Sequence, residues 1–168
     1  MKKKPKKSSK KQSKDVIGAT EIVDFPELGW HDVQARVDTG AATSAIHCSR
    51  VRLVRQGEQT RLSFYLDVQK GAPRQRFSVS DFKERTIKNS FGQEERRYII
   101  KTQITLFGRK IRTEFSLADR QKMTYPVLIG RKLLNGRFIV DVSQKNLSSQ
   151  TKKSSTSEKP DASASTIA

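Results

Sequence analysis

Apolar residues recur at every second position over several short stretches of the chain. Val33, Ala35 and Val37 alternate with Asp32, Gln34 and Arg36, and Leu62, Phe64, Leu66 and Val68 alternate with Ser63, Tyr65 and Asp67. Successive side chains of a strand point to opposite faces, so this period predicts strands buried on one side. The pattern returns in Val51 and Leu53, in Ile100, Ile104 and Leu106, and in Ile111, Phe115 and Leu117. Between the last two, Gly108-Arg109 predicts a tight hairpin turn of the Gly-X kind. Turn signals at Pro26-Glu27-Leu28-Gly29, Lys70-Gly71-Ala72-Pro73 and Phe91-Gly92-Gln93 separate the others. Short strands joined in this way predict a mainly β domain, an antiparallel sandwich or barrel. One helical stretch stands out, from Arg131 to about Asn135, after the apolar strand Val127 to Ile129 and Gly130. No internal repeat of solenoid period is visible.

Composition narrows the setting. The 168 residues suffice for one domain, and 34 Lys+Arg against 17 Asp+Glu leave a formal charge of +17. Residues 1 to 14 hold eight lysines and no acid, and residues 148 to 168 are nearly all Ser, Thr, Lys and Ala. Neither segment carries enough apolar surface to offset its ordering entropy. The expected organisation is therefore a disordered Lys-rich tail over 1–15, a folded domain over 16–147 and a disordered Ser/Thr/Lys-rich tail over 148–168. The domain between the tails is basic as well. Apolar runs such as Tyr98-Ile99-Ile100 fall far short of the roughly 18 residues a spanning helix needs, so no integral membrane segment is expected. No apolar h-region follows the lysines, and the cytoplasm is the expected compartment. With Cys48 as its one cysteine, the chain can form neither an internal disulfide nor a CxxC site.

Candidate chemistry begins where the first strong strand ends. Val37-Asp38-Thr39-Gly40-Ala41 places an acid, a hydroxyl and a flexible residue immediately after it. A carboxylate that activates water must sit at the end of a rigid strand with its oxygens fixed by backbone N–H groups, and a glycine two residues on lets the chain turn close to it. Thr39 is placed to hold that turn from behind through its hydroxyl. Asp38, Thr39 and Gly40 are thus the candidate catalytic residues, although Asp-Thr-Gly alone also describes an ordinary turn.

A second element follows about ninety residues downstream: Tyr125-Pro126-Val127-Leu128-Ile129-Gly130-Arg131-Lys132-Leu133-Leu134. The pairing of an Asp-Thr-Gly-Ala turn with a later apolar strand, glycine, arginine and helix resembles the retropepsins. The likeness is closer to one bacterial branch, through Val37 to His47, Leu117-Ala118-Asp119-Arg120-Gln121-Lys122-Met123, Tyr125 to Arg131 and Phe138-Ile139-Val140-Asp141. That branch is the retropepsin-like family named ATP-dependent zinc proteases, related to a peptidase partner of the ribosomal-protein-modifying glutamate ligases. The resemblance implies a retropepsin-like closed β-barrel with one short C-terminal helix and an aspartic endopeptidase mechanism. Such proteolysis needs two carboxyl groups sharing one proton. With one Asp-Thr-Gly per chain, the expected active species is a two-fold homodimer pairing Asp38 with its copy.

The family's zinc and ATP labels find no support in the residues. There is no His-Glu-x-x-His, and His47 and Cys48 are adjacent on a strand and point apart. Gly130-Arg131-Lys132 lacks the earlier glycine of a phosphate-binding loop. Neither a cofactor nor a metal is expected. Weighed beside the dyad are a Cys48–histidine nucleophile, Asp141 as a second acid within one chain, a bracing role for Arg131, and a structural ion pair at Asp119-Arg120. Val68 to Phe77 is the candidate for the hairpin closing over the site. Arg50, Arg52, Arg55, Arg74 and Arg76 point to an acidic peptide or protein substrate. A rival reading is a retropepsin-fold binding protein without turnover, held to RNA or ribosome by weak, non-specific polyanion contact through Lys2 to Lys14.

Overall fold

The computed structural model describes residues 13–88, 91–119 and 124–156. The expectations for the lysine tail up to residue 12, for Arg120 to Met123 and for residues 157–168 lie outside the described residues. In chain order the elements are β1 (Asp15–Ile17), β2 (Thr20–Phe25), a 3-10 turn (Pro26–Leu28), β3 (Trp30–Val37), β4 (Ser44–His47), β5 (Ser49–Gln56), β6 (Gln59–Leu66) and β7 (Gln75–Val79). They continue with β8 (Phe82–Lys88), β9 (Glu94–Leu106), β10 (Arg109–Ala118), β11 (Val127–Ile129), α1 (Arg131–Leu134), β12 (Phe138–Val140) and α2 (Leu147–Thr156). The mainly β class and each strand marked by alternation are present.

Six strands close into a barrel. Hydrogen bonding runs β10-β4-β11-β3-β2-β9, and β9 pairs back onto β10, while β8 extends β9 outside the ring. The sheet is not purely antiparallel as the short turns suggested: β11 runs parallel to β3, with Ile129 opposite Val37, and β10 runs parallel to β4. Period-two alternation fixes which side chains point inward and carries no information about strand direction. The core fills the ring with Val23, Phe25, Val33, Ala35, Ile46, Ile104, Phe115 and Ile129, among others. Phe25 stacks on Trp30 with centroids 5.6 Å apart and meets the edge of Phe115 at 5.2 Å.

Two local expectations need correction. The β9–β10 hairpin turns on Phe107-Gly108, with φ of 51° and 69°, and not on Gly108-Arg109. Both central residues are left-handed, the requirement of a type I′ turn, and Phe107 accepts that conformation while packing its ring 5.8 Å from Phe138. Secondly, the segment read as tail from residue 148 begins inside a second helix, α2. Glu21, fully buried on β2, explains it: its carboxylate accepts the N–H groups of Gly18 at 2.8 Å and Ser148 at 2.8 Å. The Ser148 hydroxyl meanwhile donates to the Ile22 carbonyl at 2.8 Å and lies 3.1 Å from the Ile22 N–H, closing the ladder where β2 has left β9. An acid at a helix N-terminus satisfies donors that the helix itself leaves open.

Candidate active site

β3 and β11 lie side by side, and their ends build the site. The Asp38 N–H donates to the Ile129 carbonyl at 2.9 Å, the last bond before the two chains part. β3 continues into the loop 38–43, and β11 into Gly130 and α1. The Asp38 Oδ1 accepts the N–H groups of Gly40 at 2.9 Å and Ala41 at 3.2 Å, which fixes the carboxylate. A Cβ on Gly40 would stand 3.2 Å from that same oxygen, so the glycine permits the close turn. Among the described residues Oδ2 accepts no hydrogen bond, and Asp38 borders a cleft of about 620 Å³.

The loop is clamped from below by the Gly130-Arg131 step. The N–H groups of Arg131 and Lys132, unpaired donors at the start of α1, donate to the carbonyls of Ala41 at 2.8 Å and Ala42 at 3.1 Å. Gly130 N–H donates to the Ser44 hydroxyl at 3.0 Å. The Arg131 guanidinium donates to the carbonyls of Thr39 at 3.1 Å and Gly40 at 2.7 Å. Arg131 thus braces the loop, through backbone carbonyls at an exposed position. Thr39 takes part by its carbonyl, and its side chain is exposed, a different use from the hydroxyl bond expected of it.

Cations ring the cleft: Arg85 and Lys88 from β8, Arg97 from β9, and Arg131 and Lys132 from α1. Strands β8 and β9, and not Val68 to Phe77, line the cleft with Asp38. The turn between them includes Phe91, 90% exposed, and Gly92 at φ 78°. Arg50, Arg52, Arg55, Arg74 and Arg76 belong to the separate β5–β6–β7 sheet and line no part of this cleft. Glu114 on β10 ties the cleft walls together, holding Arg85 in a two-pronged bond at 2.8 and 3.1 Å and Lys132 at 3.2 Å. The Arg85 hydrogen bond, with help from Lys132, depresses its carboxyl to about 2 against the opposing pull of burial. No sequence signal marked Glu114, because its partners lie 29 and 18 residues away.

The rival chemistries separate from this cleft. Burial, with the charge of Asp119 nearby, pushes the Cys48 thiol up to about 12, which leaves no thiolate to act as nucleophile. His31 and His47 both border a cavity of about 560 Å³ at the other end of β3, and among the described residues no three metal-ligating side chains converge. Asp141 accepts the Ser143 N–H at 3.0 Å and its hydroxyl at 2.6 Å, bonds that lower its carboxyl, and it does not border the Asp38 cleft.

An acid anchored at a strand end, braced by a glycine-arginine step under a closed β-barrel, defines the aspartic-peptidase class of fold and loop. The profile of the RimB-like family, described as retropepsin-like aspartic endopeptidase RimB, matches residues 16–151, and the chain belongs to this family. It is 36% identical over 136 residues to a "probable alpha-L-glutamate ligase" of Shewanella pealeana, covering 79% of this chain and 29% of that protein. A protein of the same description from Desulfotalea psychrophila is 34% identical over 133 residues, 77% of this chain and 28% of its own length. The chain thus spans about three tenths of the length of these curated relatives. In fold it is similar to a Legionella pneumophila protein of unknown function (DUF785), with a TM-score of 0.64, 18% identity, and coverage of 81% of this chain and 99% of that one.

Proposed function

We propose that the chain is an aspartic-type endopeptidase that works as a two-fold homodimer on acidic, glutamate-rich protein segments. The observation that carries the reading is the Asp38 carboxylate, pinned through Oδ1 by two backbone N–H groups at the border of the cleft. In the dimer one Asp38 is ionised and its copy protonated. The ionised one takes a proton from water, the hydroxide so formed adds to the scissile carbonyl carbon, and the protonated copy gives its proton to the carbonyl oxygen. Collapse of the tetrahedral adduct returns one proton to a carboxylate and delivers the other to the leaving amine. The two apparent pKa values belong to the pair.

Support for the dimer comes from the edge beside the loop. β1 and β12 form an isolated two-stranded sheet, and Val16, Ile139 and Val142 stand 45%, 56% and 78% exposed on it and just after it. A short apolar edge of this kind is a template for pairing with another chain. Support for the substrate comes from the five cations around Asp38 and from the relatives. The ligase named for them is read as residing in the remainder of their length. A cleft that takes glutamyl chains then sits in one polypeptide with the enzyme that makes them. Hydrolysis of polyglutamyl and neutral peptides across pH 4 to 8, by the native chain and by Asp38→Asn, tests the reading. The expected result is a bell-shaped profile, preference for the acidic peptide that fades with salt, and a loss of roughly a thousandfold in Asp38→Asn, about 4 kcal/mol of barrier. Undiminished cleavage by Asp38→Asn would refute it.

A further inference from the structure

The β5–β6–β7 sheet buries one face and turns the other, rich in arginine, to solvent. Leu62, Phe64 and Leu66 of β6 point into the core. On the opposite face the register sets Ser49, Tyr65 and Arg76 in one row, Arg52, Ser63 and Ser78 in the next, and Val54 beside Arg61 in a third. A bulge between Ser49 and Arg52 puts Arg50 at φ 51°, which lays its guanidinium 5.8 Å from the Tyr65 ring centroid. The strands themselves contribute no acid to this face. Glu58 lies in the β5–β6 turn, and Asp67, beyond the end of β6, pairs with Arg74 at 3.1 Å.

Like charges on neighbouring strands repel, so four arginines without carboxylates between them cost stability. Two of the side chains are nevertheless fixed. Arg76 Nε donates to the Ser63 hydroxyl at 2.9 Å, and Arg61 donates through Nε to the Ser78 hydroxyl and through Nη2 to the Ser78 carbonyl, both at 2.9 Å. Neutral acceptors hold the guanidinium groups without cancelling their charge and leave nitrogens free to donate outward. Among the described residues Arg52 has no partner, and a groove of about 470 Å³ runs beside Arg61, Arg76 and Ser78.

We infer that this face binds single-stranded RNA, with phosphates at Arg52, Arg61 and Arg76 and a base stacked at the Arg50–Tyr65 pair. Arginine forks match phosphate geometry, and a sheet face carrying an aromatic among cations accepts unpaired bases that a polypeptide would not supply. The site is separate from the Asp38 cleft and independent of peptidase activity. The test measures anisotropy of a fluorescein-labelled uridine oligomer of about 16 nucleotides with the full chain at several salt concentrations. A polyglutamate of matched charge serves as the comparison probe.

Replacing Arg50, Arg52, Arg61 and Arg76 by Gln should weaken RNA binding at least tenfold. It should also flatten the slope of log K against log salt by about 2.1, about 0.7 for each of the three phosphate contacts. The milder pair Arg50→Gln and Arg52→Gln, whose side chains hold no hydrogen bond of the fold, should lose about a third of that change, about 0.7, with the stacked base's share of the affinity. A variant with Lys2, Lys3, Lys4, Lys6 and Lys7 changed to Gln should remain as sensitive to the arginine substitutions as the native chain. RNA affinity unchanged within twofold in both arginine variants overturns the inference. So does polyglutamate binding as tightly as RNA with the same losses, which would make the face a surface for acidic peptides.

Discussion

Gly130 shows how little freedom the Asp38 loop has. A Cβ there would meet the Thr43 carbonyl carbon at 2.8 Å and the Ala41 and Thr43 oxygens at 2.9 Å, all backbone atoms that cannot step aside. The motif residues were legible because their work is local: Asp38 bonds to its own loop, and Arg131 folds back on carbonyls that the neighbouring strand delivers. Glu114 is the opposite case, an acid whose meaning exists only after β8, β10 and α1 have met. Its carboxyl falls from an ordinary value of 4.5 to about 2 in the fold, so its stabilising effect is complete above about pH 4.5 and is lost as pH falls through about 2. Glu114→Gln should therefore lower unfolding free energy by about 2 kcal/mol at pH 7. In urea titrations at a series of pH values, the gap between variant and native chain should close toward pH 2; a gap constant with pH would contradict the assignment.

At the scale of elements, the hairpins and α2 divide what patterning can reveal from what it cannot. Alternation located β3, β5, β6, β9 and β10, because half-buried strands must place apolar groups on every second residue. It could not rank the hairpins by distance from Asp38, and Val68 to Phe77, the hairpin singled out from the sequence, lines no part of the cleft that β8 and β9 share with Asp38. The α2 segment, Leu147-Ser148-Ser149-Gln150-Thr151 and onward, has weak helical character by itself and owes its first turn to Glu21 and Ile22 on β2. Ser148→Ala should cost about 1 to 2 kcal/mol. Hydrogen exchange should rise at the Ile22 amide and stay unchanged at Val33 in the core; equal protection at Ile22 in both proteins would remove α2 from the account.

For the whole molecule, the proposed dimer makes the barrel the builder of half of a two-carboxylate centre, with an apolar edge beside it. Ile139→Asp puts a charge on that edge without touching Asp38. Light scattering should show dimer giving way to monomer, and peptide hydrolysis should fall in parallel and recover as protein concentration is raised. Full activity in a species of monomer mass would separate catalysis from association. The unreactive thiol carries a further use. Because Cys48, the chain's one cysteine, is sealed in the core with its proton held until about pH 12, maleimide reagents pass it by. A cysteine introduced for Phe91 would then take a spin label alone, and in the proposed dimer the spacing between two such labels would report how far apart the two turns stand.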